Sequence, residues 1–292
     1  MMSSPAMMIK SSHIAAIVKL ALEEDLGPGD LTSRLTIPYD RQGSARYIAR
    51  QDMIVSGLAA VAETMRQLDP AIIFAPSTAD GDWLRPGQEI GRLEGPAISL
   101  LSAERVSLNF LMRLSGVATL TSKYVAAANN PQISVVDTRK TTPGLRFLEK
   151  AAVRHGGGRN HRFALYDGIL IKDNHIAAAG SITKAVERAK NRAPHILRVE
   201  VEVDDLEQLR EALHAGADLV MLDNMAPDTL RQAVRLAEEF HAPGPRLTFL
   251  EASGGITLAT IAAVAQSGID IISVGALTHS APSVDVALDW GL

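Results

Sequence analysis

Apolar residues recur at helical spacing from Ser12 onward: Ile14, Ile17, Val18, Ala21 and Leu22 share one face of a helix that Ser12 is placed to cap. The first dozen residues read as a loose tail. The helix stops within EDLGPGDLTS, residues 24–33, where Gly27, Pro28 and Gly29 cannot continue it. Residues 43–98 alternate and turn like antiparallel strands around one helix near 58–68. From Ile98 to about Asn130 the helical pattern returns, with a break expected at Gly116. After Pro131 the period changes. Six short runs rich in β-branched residues (ISVVDTRK, GILIKDNH, ILRVEVEV, ADLVMLDN, RLTFLEASGG and IDIISVGAL) are separated by helical stretches at 145–155, 181–193, 204–214, 226–241 and 257–268. Strands alternating with helices imply parallel βαβ units, and runs apolar on both faces suit strands buried on both sides.

These runs end in reactive side chains: Asp137 to Lys140, Lys172 to His175, Glu202, Asp223, Glu251 to Ser253, and Ser273 with Gly275. A β/α barrel assembles its site from the carboxyl ends of many strands, whereas an open doubly wound sheet concentrates it at a switch point. Neither GxGxxG nor GxxxxGK[ST] is present, so the barrel is the better reading.

Composition narrows the chemistry. In 292 residues there is no cysteine, which excludes disulfides, thiolate metal sites and a cysteine nucleophile. Aromatics are only 4%, so the core is aliphatic. The N-terminal MMSSPAMMIKSSH has neither the basic nor the apolar region of a secretory signal, and no run is long enough to span a membrane. The expectation is a cytoplasmic protein without a membrane partner. The net charge of −4 argues against a nucleic-acid partner, yet Asp137–Lys172 carries a local +5 against −9 elsewhere. Arg146, Lys150 and Arg154 recur at the spacing of one solvated helix face. Arg139, Lys140, Arg162 and Lys172 instead fall at strand ends or in the HGGGRNHR loop. Forked arginines beside mobile lysines fit a substrate with several anionic groups.

The remaining candidates divide. Ser253-Gly254-Gly255 and the loop from Gly275 to Ser280 occupy the usual phosphate positions of a barrel, although SGG alone is equally a tight turn. Glu202 and Asp223 are hard-oxygen groups of the kind that hold Mg²⁺ together with phosphates. Glu200 shares their strand face but lies deeper, in a position suited to pairing. His155, next to the glycines, reads as structural; His161 and His279 are equally compatible with site or turn. No Ser-His-Asp triad is convincingly spaced.

The stretches EDLGPGDLTS, ERVSLNFLMRLSGVATLT, DTRKTTPGLRFLEKAAVRHGGGRNHR, YDGILIKDNHI, VEVEVDDLEQLREALHAGADLVMLDN and LEASGGITLATIAAVAQSGIDIISVGALTHS together resemble the quinolinate phosphoribosyltransferases over almost the whole chain. The resemblance implies an α/β protein of the type II phosphoribosyltransferase fold. Its N-terminal open-faced α/β sandwich would cover 13–116, its incomplete parallel barrel 117–279, and residues 280–292 would return to the sandwich. It implies transfer of the phosphoribosyl group of 5-phosphoribosyl-1-pyrophosphate (PRPP) to quinolinate with decarboxylation, Mg²⁺ as cofactor, and a homodimer. By that resemblance Thr138, Arg139, His161, Arg162 and Lys172 bind quinolinate. Arg105 reaches the neighbouring subunit's site. Lys140, Glu202 and Asp223 meet ribose, pyrophosphate and metal. Ser253, Gly254, Gly255, Val274, Gly275 and Ala276 form the 5′-phosphate loops, with His279 near them. The alternative is a related protein with another small anionic acceptor. A Schiff-base lyase using Lys172 and an inactive anion-binding scaffold are more distant readings.

Overall fold

The structure is a computed structural model that describes residues 11–291; most of the expected N-terminal tail lies outside that range. It divides into two compact units. The first takes residues up to Ser122 together with Thr141–Gly157 and Leu277–Leu292; the second takes Lys123–Lys140 and Gly158–Ala276. The boundary drawn from the sequence at residue 116 therefore falls inside a helix, and 141–157 groups with the first unit rather than with the barrel.

The first unit begins with α1 (Ser11–Leu26), one residue ahead of its expected cap. After the Gly-Pro-Gly turn comes a short helix that periodicity did not reveal, α2 (Leu31–Thr36). Asp30 caps it by accepting the Ser33 N–H at 3.0 Å, and the Ser33 hydroxyl, then that N–H, hold the Asp30 carboxyl below its ordinary pKa. Next follow β1 (Gln42–Ala49), β2 (Met53–Ile54), α3 (Leu58–Leu68), β3 (Ile73–Pro76), β4 (Trp83–Leu84) and β5 (Glu89–Pro96). An antiparallel sheet of order β12-β1-β5-β3 takes its edge strand from the chain's other end, β12 (Val286–Gly291), with Ala45 opposite Trp290. Tyr47, Met53, Met65, Ile90, Leu93, Leu100 and Leu111 fill its core. The one polar tip there, the Tyr47 hydroxyl, is satisfied by Ser107 Oγ at 2.6 Å.

Helix α4 (Ala97–Ala128) runs unbroken through Gly116. The glycine serves close approach instead of a break: a Cβ there would stand 2.1 Å from the Pro282 carbonyl oxygen. Helix α5 (Arg146–His155) also departs from expectation. Lys150 is buried, so Arg146, Lys150 and Arg154 do not form a solvated face. Glu149 is fully buried and paired with Arg113 at 2.7 Å. His155 meets the buried Ser56 hydroxyl at 2.8 Å with Asp80 near by, and burial lowers its pKa. Serine, histidine and aspartate do come together here, but Ser56 is 1% exposed and has no access to a substrate.

The second unit holds six parallel strands: β6 (Ser134–Val136), β7 (Ile169–Ile171), β8 (Val199–Val203), β9 (Leu219–Asp223), β10 (Phe249–Ser253) and β11 (Ile271–Ser273). Their order, β6-β11-β10-β9-β8-β7, is the chain order closed into a ring and cut between β6 and β7. That is a barrel's cyclic order, without the reversal of a doubly wound sheet. At the cut, β6 makes one parallel bridge, from Val136 to Arg159 in the loop that leads towards β7. Helices α6 (Asp173–Ala179), α7 (Ile182–Arg192), α8 (Leu206–His214), α9 (Pro227–His241), α10 (Ile261–Ala265) and α11 (Ala276–His279) complete the fold. The sequence pattern missed α6 and α11, and α10 starts four residues later than expected. Thr257 and Thr260 bond each other's backbone and hydroxyl groups, an alternative to helical bonding.

No helix among the described residues is long and apolar enough to cross a membrane.

Candidate active site

Side chains alternate along the barrel strands, so every second residue faces the interior. Register sets Glu200 beside Leu219, Glu202 beside Met221, and Asp223 beside Ser253. At the carboxyl ends this produces a cavity of about 410 Å³. Thr138, Arg139 and Lys140 reach it from the end of β6, and His161 and Arg162 from the loop that bridges the cut. Lys172, Glu202, Asp223 and Ser253 reach it from the ends of β7, β8, β9 and β10. These nine residues, all singled out from the sequence, thus line one space, with Glu251 and Ser273 beside them.

Local bonding explains how they are held. Thr138 Oγ1 accepts the Lys140 N–H at 3.0 Å, which turns the chain directly after β6. Asp137 is fully buried; it accepts the Asn160 amide at 2.6 Å and the His161 N–H at 3.0 Å. This carboxylate therefore ties DTRK to GGGRNHR, two motifs far apart in sequence. The Arg162 N–H donates to His161 Nδ1 at 2.7 Å, and Arg162 Nη1 donates to the Gly168 carbonyl at 3.2 Å. Asp167 accepts the N–H groups of Phe163 and Ala164 at 2.6 and 2.7 Å, closing the turn beyond. Lys172 Nζ donates to Glu202 Oε2 across the cavity.

Electrostatics distinguishes the groups. Burial, then the neighbouring Arg139, moves Arg162 below its ordinary pKa, while Glu200 and Asp167 oppose the shift. Two guanidinium groups kept close in a partly desolvated pocket favour an anionic ligand. Deeper in the barrel, His161 Nε2 lies 3.1 Å from Glu200 Oε2 and 3.7 Å from Glu251 Oε2. Burial, then the Glu200 charge, pushes the Glu251 carboxyl up to about 8. Glu200 is paired inside the barrel, at the depth its strand position implied. Glu251, one of the strand-end residues the sequence marked without a role, also lines the cavity, on the same strand face as Ser253.

The other candidates lie elsewhere. Arg105 is exposed on α4 in the first unit and does not line this cavity. Gly254 and Gly255 have left-handed backbone, and a Cβ on Gly254 would meet Asn224 Oδ1 at 2.1 Å, so the β10 turn requires glycine there. Neither they nor Val274, Gly275 and Ala276 line the cavity. The helix expected to follow the glycines directly begins only at Ile261. His279 is exposed beside Ser280, with 2.6 Å between Nδ1 and Oγ. For a divalent cation, Glu202 and Asp223 offer hard oxygen donors on adjacent strands that open to the cavity, a set that fits Mg²⁺ shared with a diphosphate.

Comparison with known proteins agrees with this geometry. Residues 30–115 match the N-terminal domain model of quinolinate phosphoribosyl transferase, and residues 117–289 match its C-terminal domain model. The chain is 49% identical over 266 residues to a probable nicotinate-nucleotide pyrophosphorylase [carboxylating] of Bacillus subtilis, covering 91% of this chain and 89% of that protein. It is 41% identical to the chloroplastic nicotinate-nucleotide pyrophosphorylase [carboxylating] of Arabidopsis thaliana, covering 94% and 82%. The solved nicotinate-nucleotide pyrophosphorylase of Francisella tularensis superposes with a TM-score of 0.90 at 38% identity, covering 99% of this chain and all of that one.

Proposed function

The chain belongs to the quinolinate phosphoribosyltransferase family, and from that premise we propose that the strand-end cavity is where it joins quinolinate to PRPP. The enzyme is a decarboxylating pentosyltransferase of de novo NAD synthesis; its products are nicotinate mononucleotide, pyrophosphate and CO₂. The observation that carries the site assignment is the convergence of Arg139, Lys140, Arg162 and Lys172 with Glu202 and Asp223 on one cavity. Quinolinate brings two carboxylates and PRPP brings a phosphate and a diphosphate. Without fixed cations these groups repel one another at contact distance.

In this reading Arg139 and Arg162 clamp the quinolinate carboxylates by paired hydrogen bonds, with Thr138 and His161 beside them. Lys172 exchanges its contact with Glu202 for a carboxylate of the substrate, leaving Glu202 to turn towards the ribose. The pyridine nitrogen attacks the anomeric carbon as pyrophosphate departs. Lys140 faces the charge that grows on the leaving group, and Glu202 and Asp223 steady the positive charge on the sugar. Glu202 and Asp223 are also the residues that would hold Mg²⁺, which would supply further neutralisation of the leaving group's charge. Ser253, Gly254 and Gly255, with the turn from Val274 to Ala276 and His279, take the 5′-phosphate. The active form is a cytoplasmic homodimer, in which Arg105 serves the neighbouring subunit's cavity; its exposure on α4 leaves it available for that role.

Lys140→Ala tests the assignment. Pyrophosphate release in a single turnover slows by about 100-fold or more, while quinolinate affinity measured by calorimetry stays close to the parent value. Lost affinity with an unchanged transfer rate refutes this role for Lys140.

A further inference from the structure

Phosphoribosyl transfer leaves two buried carboxyls in the barrel, Glu200 and Glu251, without a task. Glu200 and Glu251 are 6% and 1% exposed, and each has one buried carboxyl oxygen, Oε1, that no donor meets. His161 faces both carboxyls through Nε2. Two carboxyls and a histidine invite a metal reading, but the histidine's tautomer opposes it. Its Nδ1 accepts the Arg162 N–H at 2.7 Å, so the neutral ring carries its proton on Nε2, the atom a metal would need bare.

A proton satisfies the cluster better. Two ionised carboxylates in contact, both out of water, repel strongly, and the usual resolution is that they share one proton. Glu200 faces Arg162 and lies 3.1 Å from His161 Nε2. Glu251 is the member placed to be neutral, being more buried and farther from that nitrogen at 3.7 Å. Glu251 also lines the substrate cavity.

We propose that Glu251, as a buried carboxylic acid, supplies the proton that replaces the departing carboxylate of quinolinate. The inference rests on the reading of the cavity as the place of decarboxylation. After N-ribosylation the bond from ring carbon 2 to its carboxylate breaks, CO₂ leaves, and the electron pair remains on carbon 2 beside the cationic nitrogen. The Glu251 O–H bond then breaks and its proton bonds to carbon 2, giving nicotinate mononucleotide and a Glu251 carboxylate. Glu251 also borders a second space from which its proton could be restored. A second cavity, of about 390 Å³, opens among the residues that begin β7, β9 and β11, and it shares His161, Arg162 and Glu251 with the first.

The test is a single turnover with quinolinate, PRPP and MgCl₂, comparing the parent enzyme with Glu251→Gln and Glu251→Asp. Pyrophosphate, the undecarboxylated nucleotide and nicotinate mononucleotide are resolved by chromatography. Loss of CO₂ is reversible until a proton traps the carbanion, so Glu251→Gln should release pyrophosphate and accumulate the undecarboxylated nucleotide. Its nicotinate mononucleotide per pyrophosphate released should fall by about 100-fold, and Glu251→Asp should recover part of it. The ratio counts only molecules that have reacted, so misfolded protein drops out. The parent enzyme gives an independent reading: the same ratio should fall as pH rises past 8 and Glu251 ionises. The titratable and charged groups facing Glu251 are Glu200 from β8 and His161 from the bridging loop, with the Ser273 hydroxyl on β11. A ratio unchanged in both Glu251→Gln and the high-pH parent overturns the proposal. A parent enzyme that forms no nicotinate mononucleotide at any pH strikes instead at the functional reading.

Discussion

Replacing Arg113 with alanine perturbs one buried contact whose cost follows from its geometry. Glu149 has no exposed surface; it accepts Arg113 Nη2 at 2.7 Å and Nε at 3.2 Å, and Thr142 N and Oγ1 at 3.0 and 2.8 Å. The same guanidinium donates to the carbonyls of Ala281, at 2.6 Å, and Thr278, joining α4 to the chain that leads into β12. Alanine at 113 leaves the carboxylate buried with only the Thr142 donors and takes the arginine from both carbonyls. Breaking a buried pair from one side costs about 3–5 kcal/mol. In a chain of this length that lowers the melting midpoint by roughly 5–8 °C. Urea unfolding followed by circular dichroism measures the loss directly. Arg113→Met combined with Glu149→Leu should recover much of it, since an apolar pair leaves no stranded charge. A loss below about 1 kcal/mol in Arg113→Ala contradicts the reasoning, because it means that Glu149 does not depend on that partner.

Other outcomes follow from the same coordinates. Gly116→Ala should destabilise by about 1–3 kcal/mol despite alanine's better helix propensity, because its Cβ meets the Pro282 carbonyl; a raised melting temperature refutes the close-approach reading. Arg162→Lys keeps the charge but loses the planar fork, so the KM for quinolinate should rise by about tenfold with that for PRPP unchanged; a change confined to PRPP contradicts the carboxylate clamp. Glu251 is neutral in the fold up to about pH 8 but ionised in the unfolded chain above its ordinary value of 4.5. The folded state therefore holds the extra proton between those limits, and stability falls as pH rises through that window, by at most ~1.4 kcal/mol per pH unit. Glu251→Gln should lack this component when denaturant midpoints are compared at pH 5.5 and 7.5, and identical pH dependence in both proteins rules it out. Arg105→Ala should fold normally and lose activity. Mixing it with a variant inactivated at Lys140 should restore part of the activity through hybrid dimers, and no restoration removes the shared-site idea.

The fold was legible where a strand or helix repeats its own period. The six apolar runs after residue 131 became the six parallel strands, and strand-end chemistry distinguished a barrel from an open sheet. Single residues set by distant contacts were not legible. Gly116 looks like a helix breaker, yet its missing Cβ admits the chain near Pro282, 166 positions away in numbering. Lys150 sits at the spacing of a solvated face, and the tertiary fold buries it. Thr257 and Thr260 delay α10 through hydroxyl bonds that no hydrophobic pattern carries. At the site, the cations announced themselves by charge and position. Asp137 and Glu251 announced only a place at a strand end, because a buried acid's role depends on which loops and strands reach it.

The most direct test of the account is product formation from quinolinate, PRPP and Mg²⁺, resolved by chromatography with nicotinate as the parallel acceptor. Quinolinate should give nicotinate mononucleotide with one CO₂ per pyrophosphate, and nicotinate should give no product. Product from nicotinate, or quinolinate bound without turnover, would contradict it.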